Sequence, residues 1–210
     1  MLFIKATSPA NAWRNTVLEL YNTTEKKGKQ YRDDIVALEI DNTEPSDYYD
    51  DHFPMTKENI DIIDKYLVTG ENEEKVVHDW TKLYRHRLVK DNYNQIQEVI
   101  NYLKQKPQGL RAQMSVWKQE EDLYGSIGPC FQLAWFRVND ESKLDIHVHM
   151  RACDAYGKLL MNINEFIALQ NHVAEELNVK SGRYIQFIDS CHLNTKDRTS
   201  IETLIHQLKP

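Results

Sequence analysis

The feature that most limits the fold of this chain is a pair of β-rich runs, Phe131 to Val138 and Lys143 to Met150, joined by the polar turn Asn139 to Ser142. Short runs of this composition predict strands, and so brief a connection predicts an antiparallel hairpin. A helix is predicted next, because one stripe at helical spacing carries Ile163, Phe166, Ile167, Gln170, Val173, Ala174 and Leu177. We therefore expect an α+β fold in which helices pack on a mixed or antiparallel sheet.

The rest of the chain supplies further elements of the same two kinds. Strands are predicted over Ile35 to Ile40, Gln113 to Trp117 and Arg183 to Ile188. Helices are predicted from Pro9 onward, over Ile60 to Leu67 with Gly70 at the end, over Ile96 to Leu103, and over Ile201 to Leu208. The acidic stretch from Asn42 to Asp51 predicts an exposed loop. Because no repeat or interdomain linker is visible, residues 1–210 are predicted to form a single domain.

Charge and cysteine content exclude several classes of protein. With 26 Lys and Arg against 32 Asp and Glu, the 210-residue chain has a formal net charge of −6, which argues against nonspecific binding to nucleic acid. No apolar run reaches the roughly 20 residues that span a bilayer, and the N-terminus lacks the pattern of a signal peptide. The three cysteines, Cys130, Cys153 and Cys191, predict free thiols in a reducing compartment. We expect a cytoplasmic protein with no membrane partner.

Cys130 is the first candidate for chemistry, because it follows Gly128-Pro129 and begins a predicted strand. Arg151 ends the next predicted strand, so a hairpin would bring the two residues to the same side of the sheet. A nearby guanidinium favours the thiolate over the thiol. Two interpretations stay open, since free cysteines are more often small packing residues than nucleophiles.

Other polar residues have both structural and functional interpretations. His147 and His149 share one face of a strand and could bind zinc together with Cys153 and His192, but the short ligand spacings of zinc sites are missing and we predict no metal. Asp189 and His192 lie just past a predicted strand, where they could contact a ligand or form a turn.

Four ordered motifs resemble the thymidylate synthase family, whose members add a one-carbon unit to C5 of a pyrimidine nucleotide. The motifs are Gly-Pro-Cys130, Met-Arg151-Ala-Cys-Asp154, Met-Asn162-Ile-Asn-Glu-Phe and Asp189-Ser-Cys-His192. They look like the family's nucleophile, its Arg-x-x-Asp segment, its Asn-Ile helix start and its Asp-x-His segment. Upstream, Arg111 and Tyr84 lie in segments similar to a phosphate-binding arginine region and a Tyr-containing segment of the family.

The resemblance implies a role for each of these residues. Cys130 would add to C6 of the base, Arg151 would bind the 5′-phosphate, and Arg111 would reach the phosphate of the neighbouring subunit in a homodimer formed through the sheet. Asn162 would recognise uracil, which favours dUMP over dCMP. His192 and Asp189 would help to bind the nucleotide. Asp154 and Tyr84 would organise the polar network around the base. The implied one-carbon donor is a reduced folate or related pterin.

Departures from the family pattern leave several functions open. Phe131, Met150, Ala152 and Asn194 replace polar residues of the family, and the expected proton-shuttling glutamate has only Asp61 and Asp64 near its place. The chain also ends at Pro210, before the segment that closes over folate in the family. The leading hypothesis is a thymidylate synthase-like methyltransferase that converts dUMP to dTMP. The alternatives are a 5-hydroxymethylase acting on dUMP, dCMP or CMP, and a homologue that binds nucleotides without catalysis.

Overall fold

The structure, a computed structural model, describes residues 1–41, 47–90, 92–125 and 128–208. The predicted loop from Asn42 to Asp51 falls partly on residues 42–46, outside this described part. The helices are α1 (Pro9–Tyr21), α2 (Lys57–Thr69), α3 (Asp79–Leu88), α4 (Gln95–Gln105), α5 (Gln119–Asp122), α6 (Leu159–Glu176) and α7 (Arg198–Leu208). Within this part of the chain, none of them is long and apolar enough to cross a membrane.

Seven strands form one mixed sheet in the order β1-β2-β9-β7-β6-β5, with β8 added beside β9. Their bounds are β1 (Leu2–Ala6), β2 (Gln30–Ile40), β5 (Gln113–Ser115), β6 (Phe131–Val138), β7 (Lys143–Met150), β8 (Cys153–Asp154) and β9 (Lys180–Asn194). β3 (Val89–Lys90) and β4 (Tyr93–Asn94) pair separately. The β1–β2, β7–β9 and β8–β9 pairs are parallel, whereas the β2–β9, β5–β6 and β6–β7 pairs are antiparallel. The expected α+β fold with a mixed sheet is confirmed.

The predicted hairpin is confirmed with its predicted bounds. β6 and β7 pair antiparallel, with Phe131 opposite Met150 at the open end and Val138 opposite Leu144 near the turn. The turn closes with Ser142 in the left-handed region, at a φ of 58°. The helix predicted to end at Gly70 does so, because Gly70 has a φ of 77° and its N–H donates to the carbonyl of Tyr66.

Other elements differ from the sequence-based expectation. β1 and α3 were not predicted, and β5 ends at Ser115 rather than Trp117. β9 continues to Asn194, so the prediction that Asp189 and His192 lie past the strand is wrong. The reason is pairing on both edges, since β9 lies between β2 and β7 and its last residues also pair with β8. Neighbouring strands satisfy its backbone groups even where its side chains are polar.

The two faces of the sheet have different surroundings. One face lies against α1 and α6 and contributes to a core cluster that includes Val36, Phe136 and Ile188. The first nine residues of the helix α6, Leu159 to Ile167, are all buried, including its polar Asn162 and Glu165. On the opposite face, Phe187 is 37% exposed. This arrangement places the open ends of β6 and β7, the N-terminus of α6 and the end of β9 around one cavity.

Candidate active site

A cavity of about 440 Å³ opens between the sheet and the first turns of α3 and α6. Its volume lies in the range of small-molecule sites, about 300–1,000 Å³. The lining residues come from distant parts of the chain: Lys29, Gln30, His78, Trp80, Tyr84, Cys130, Met150, Ala152, Cys153, Asp154, Lys158, Asn162, His192, Asn194 and Lys196. The cavity therefore brings together five residues singled out in the sequence, namely Cys130, Tyr84, Asp154, Asn162 and His192.

Cys130 lies directly before β6, half-buried at the cavity wall. Its thiol is free, and its carbonyl oxygen accepts a 2.9 Å hydrogen bond from the backbone N–H of Arg151. Burial raises the pKa of the Cys130 thiol, and the positive charge of Arg151 opposes that rise. The predicted approach of the two strand ends is thus observed, but burial outweighs the guanidinium and favours the neutral thiol.

Arg151 is held beside Cys130 rather than inside the cavity. Its Nε donates to the carbonyl of Pro129 at 3.0 Å, and its Nη2 donates to the carbonyl of Gly128 at 2.6 Å. The guanidinium also lies 6.0 Å from the centre of the Trp117 ring. The side chain is exposed, so its charge is accessible to an anion at the rim.

Tyr84 reaches the cavity from α3 and lies next to the segment that carries Cys130 and Phe131. Its ring is 1% exposed and packs against Phe131 and Phe166, with ring centres 5.5 Å and 6.5 Å away. Its hydroxyl oxygen accepts from the backbone N–H of Phe131 at 3.4 Å. Burial raises the pKa of Tyr84 well above its ordinary value, so this hydroxyl is a neutral group that can still donate a proton in a hydrogen bond.

Asp154 and His192 are placed side by side by the pairing of β8 with β9. The Asp154 Oδ1 accepts from the backbone N–H of Gly157 at 3.1 Å, which fixes the carboxylate in the turn before α6. His192 is 8% exposed, and its Nδ1 lies 3.2 Å from the carbonyl oxygen of Ser190. That contact leaves the other ring nitrogen of His192 for a ligand.

Asn162 lies in the first turn of α6 and is 2% exposed. Its Nδ2 donates to Oε1 of Glu165 at 2.6 Å, and its Oδ1 accepts from the thiol of Cys153 at 3.5 Å. These contacts hold the amide in one orientation. One N–H and part of the oxygen's accepting capacity remain for a ligand in the cavity.

Two of the predicted site residues lie outside the cavity of this chain. Arg111 is exposed in the turn before β5. Asp189 points to the outer face of the sheet, where its Oδ2 lies 2.9 Å from Nε2 of His149. Neither residue lines the cavity, and their roles in nucleotide binding stay predictions.

Lysines and a histidine that the sequence did not single out also line the cavity. Lys29 lies in the loop before β2, Lys158 directly precedes α6, and Lys196 lies in the short 3-10 helix Thr195–Asp197 that follows β9. Lys196 lies 3.8 Å from Asp197, whereas Lys29 and Lys158 have no carboxylate partner within 4.0 Å among the described residues. His78 precedes α3 and is 6% exposed. Only the three-dimensional meeting of these segments reveals the cavity's positive charge, because no local motif marks it.

The alternative zinc site is not formed. His147 and His149 lie on the outer face, where their rings contact Trp135 and Phe187, whereas Cys153 and His192 lie at the cavity. Within the described ranges, no group of three or more His, Cys, Asp or Glu side chains could hold a metal ion.

Comparison with known proteins gives a consistent result over most of the chain. The family profile described as thymidylate synthase matches residues 46–209. A Methanosarcina mazei protein provisionally named as a thymidylate synthase is 27% identical over 214 residues, covering 96% of this chain and 94% of its own length. Thymidylate synthase from Streptococcus agalactiae serotype Ia is 29% identical over 143 residues, which cover 66% of this chain and 51% of that enzyme.

A solved structure shares the fold. Thermostable thymidylate synthase A from Bacillus subtilis superposes with a TM-score of 0.76 at 17% identity, covering 95% of this chain and 84% of the other. At that identity the likeness concerns the fold alone. Together with the profile match, it confirms the family resemblance and the fold expected from the sequence.

Proposed function

Because this chain belongs to the thymidylate synthase family, a family of one-carbon transferases, we propose that it transfers a methyl group to C5 of a pyrimidine 5′-monophosphate, converting dUMP to dTMP. The observation that carries the proposal is the meeting of Cys130, Tyr84, Asp154, Asn162 and His192 in one cavity of ligand size. A simple packing role for Cys130 would not require these polar groups around it.

In this proposal Cys130 is the nucleophile. Its thiolate adds to C6 of the base, and the displaced π electrons make C5 nucleophilic toward a one-carbon electrophile. Since burial favours the neutral thiol in the free protein, the thiol must first lose its proton to water, and the resulting thiolate then forms the C6–S bond. The nearby charge of Arg151 lowers the cost of the thiolate.

Recognition of the base and sugar is assigned to the polar wall. The Asn162 amide would accept from N3–H of uracil and donate to O4, and its orientation is supported by the contact with Glu165. His192 would contact the sugar hydroxyl with its free ring nitrogen. Asp154 and Tyr84 would organise waters around the base, as their fixed positions beside His192 and Phe131 allow.

The phosphate is assigned to the positive rim. Arg151 is exposed beside Cys130, and Lys29, Lys158 and Lys196 line the cavity. Guanidinium and ammonium groups bind phosphate by charge-assisted hydrogen bonds. Arg111 would act on the site of the neighbouring protomer, which is consistent with its exposure and its absence from the cavity of its own chain.

A homodimer would form through the outer face of the sheet. Paired positions on adjacent strands carry Leu133, Trp135, His147, His149, Ile185 and Phe187 on that face. Phe187 is 37% exposed, and burial of such a side chain between two sheets is favourable. The three free cysteines suit the cytoplasm, where thiols are kept reduced.

The one-carbon donor is proposed to be a reduced folate, which supplies the electrophilic carbon and, for methylation, the hydride. Trp80 lines the cavity and offers an aromatic surface for a pterin ring. The chain's own residues then bind the nucleotide, orient C5 and exclude water from the reacting atoms.

The decisive test is covalent capture by 5-fluoro-dUMP, with and without methylenetetrahydrofolate, read by intact mass. We expect an adduct with the wild-type protein, none with Cys130→Ser, and an unchanged adduct with Cys191→Ala, because Cys191 is buried away from the cavity. Reversible nucleotide binding without an adduct, and without tritium release from [5-³H]dUMP, would identify a binding protein instead. Product mass separates methylation from hydroxymethylation, and parallel reactions with dCMP, UMP and CMP test the choice of base and sugar.

A further inference from the structure

A buried carboxyl group lies one residue layer behind the cavity. Glu165, in α6, is fully buried and does not line the cavity. Its Oε1 accepts from Nδ2 of Asn162 at 2.6 Å, and its Oε2 accepts from the hydroxyl of Thr81 at 2.8 Å. Burying a carboxyl group is costly, and here two side-chain donors hold it by hydrogen bonds beside the candidate active site. Its presence there requires an explanation beyond packing.

Thr81 connects this carboxyl group to the cavity. Its Oγ1 lies 3.1 Å from Nδ1 of His78, and His78 lines the cavity. The Nε2 of His78 is buried and has no hydrogen-bond partner among the described residues. With Nδ1 occupied by Thr81, Nε2 is the ring nitrogen left for a ligand in the cavity.

We propose that His78, Thr81 and Glu165 form a proton relay that removes the C5 proton of the bound nucleotide. The inference rests on the proposed function and fills the role for which the sequence offered only Asp61 and Asp64. His78 would be the catalytic residue, whereas Thr81 and Glu165 would act through it.

The proton transfers balance without a charged imidazole. With Glu165 ionised, Thr81 donates to Oε2 and accepts from Nδ1–H, so Nε2 is a free base. When Nε2 takes the C5 proton, the Nδ1 proton moves to Thr81 and the Thr81 proton moves to Oε2. The C–H electron pair stays on the pyrimidine as a new double bond, and the folate amine leaves with the electrons of its bond to the transferred carbon. Oε1 accepts from Asn162 in both states.

The surroundings of the relay suit a proton that moves near neutral pH. Burial raises the pKa of Glu165 to about 7, against the hydrogen bonds from Asn162 and Thr81 and the charge of Lys158. Burial and Lys158 lower the pKa of His78 to about 3, which keeps its ring neutral. The other titratable groups facing Glu165 are Asp64 of α2, Tyr84 of α3, Cys153 of β8 and Tyr184 of β9. Burial raises the pKa of each of these four groups.

The two aspartates on α2 are weaker candidates for this role. Asp61 is exposed and pairs with Lys57 at 2.9 Å. Asp64 has a buried Oδ1 without a hydrogen-bond partner among the described residues, and neither residue lines the cavity. Neither has a chain of hydrogen bonds to the cavity comparable to that of Glu165.

The test separates proton removal from nucleotide capture. In Glu165→Gln, the new amide oxygen can still accept from Asn162, but the amide cannot store a proton. We expect tritium release from [5-³H]dUMP in the presence of methylenetetrahydrofolate to fall about 10²-fold, the lower range for general acid–base catalysis. Capture of 5-fluoro-dUMP by Cys130 requires no C5 proton transfer and should persist. The loss of activity of the wild-type enzyme below about pH 7 should disappear from the residual activity of the variant.

Two variants of Thr81 distinguish loss of the relay from a purely structural effect. Thr81→Ser keeps the hydroxyl and should release tritium at a rate close to wild type, whereas Thr81→Val has a similar volume without the relay and should lose about 10²-fold. Equal rates in these two variants, or wild-type rates and pH dependence in Glu165→Gln, would overturn the relay while leaving the proposed function intact. A wild-type protein that neither captures 5-fluoro-dUMP nor releases tritium would overturn the proposed function itself.

Discussion

The backbone N–H of Arg151 donates a 2.9 Å hydrogen bond to the carbonyl oxygen of Cys130, so the two strand ends that carry these residues lie side by side. The guanidinium lowers the pKa of that thiol while burial raises it. The pairing of β6 with β7 therefore contributes to the pKa of the Cys130 thiol.

Removing this charge should make Cys130 less reactive. In Arg151→Met we expect a higher pKa for Cys130 and slower alkylation by iodoacetamide at pH 8, by up to roughly tenfold for a shift of one pKa unit. Arg183→Met is the matched control, because Arg183 pairs with Asp145 at 3.0 Å. Peptide mass spectrometry would assign the alkylated cysteine. Equal alkylation rates in wild type and Arg151→Met would show that the guanidinium does not act on the thiol.

Changing Asn162 to a carboxyl group should alter base preference more strongly when Glu165 is also changed. Asn162→Asp would suit cytosine, but it places a second carboxyl group where Nδ2 now lies 2.6 Å from Glu165. Like charges this close cannot both ionise at ordinary pH. We expect the double variant Asn162→Asp with Glu165→Gln to bind dCMP in preference to dUMP by about 10²-fold, and the single variant to show less preference and lower stability. Calorimetric titration with both nucleotides measures this, and an equal preference in the two variants would contradict it.

Stability should depend on pH through two opposing groups. In the folded protein the pKa of His78 is about 3, against an ordinary 6.5. Its contribution to the free energy of unfolding is therefore complete above pH 6.5 and is lost as pH falls toward 3. Glu165 has a folded pKa of about 7 against an ordinary 4.5, so its contribution is complete below pH 4.5 and is lost as pH rises toward 7. Between about pH 4.5 and 6.5 the two effects oppose each other.

Single variants should separate the effects of Glu165 and His78 on the pH dependence of the free energy of unfolding. Relative to wild type, the free energy of unfolding of Glu165→Gln should rise with pH across this interval, by up to about 1.4 kcal/mol per pH unit, and that of His78→Gln should fall. Urea unfolding at several pH values measures both slopes. Curves parallel to wild type would mean that neither group has a strongly shifted pKa.

A charge on the outer face of the sheet should disrupt the proposed homodimer. Phe187→Lys places an ammonium group among His149, Ile185 and other residues of that face. We expect the wild-type protein to sediment as a dimer and the variant as a monomer or a dimer weakened at least tenfold, because a buried unpaired charge is costly. Tyr124→Lys is the control, since Tyr124 is 96% exposed and lies outside the sheet. A wild-type monomer, or a variant dimer of unchanged affinity, would contradict the prediction.

Local patterns were sufficient for the elements whose side chains repeat with a clear period. Short β-rich runs and a polar turn predicted β6 and β7 with their observed bounds, and a helical stripe predicted α6. The ordered motifs also singled out Cys130, Asn162 and His192, which all line the cavity. Each of these signals lies within a short stretch of chain, where the spacing of residue types directly reflects backbone geometry.

Tertiary structure decided what depends on neighbours from distant parts of the chain. The sequence by itself determined the family, the hairpin that carries Cys130 and the helix that carries Asn162. The polar end of β9 became a strand because β2 and β8 pair with it, and Thr81 meets Glu165 only because α3 packs near α6. Burial and hydrogen bonding, which shift the pKa of Glu165, are properties of that assembled environment and leave no local pattern in the sequence.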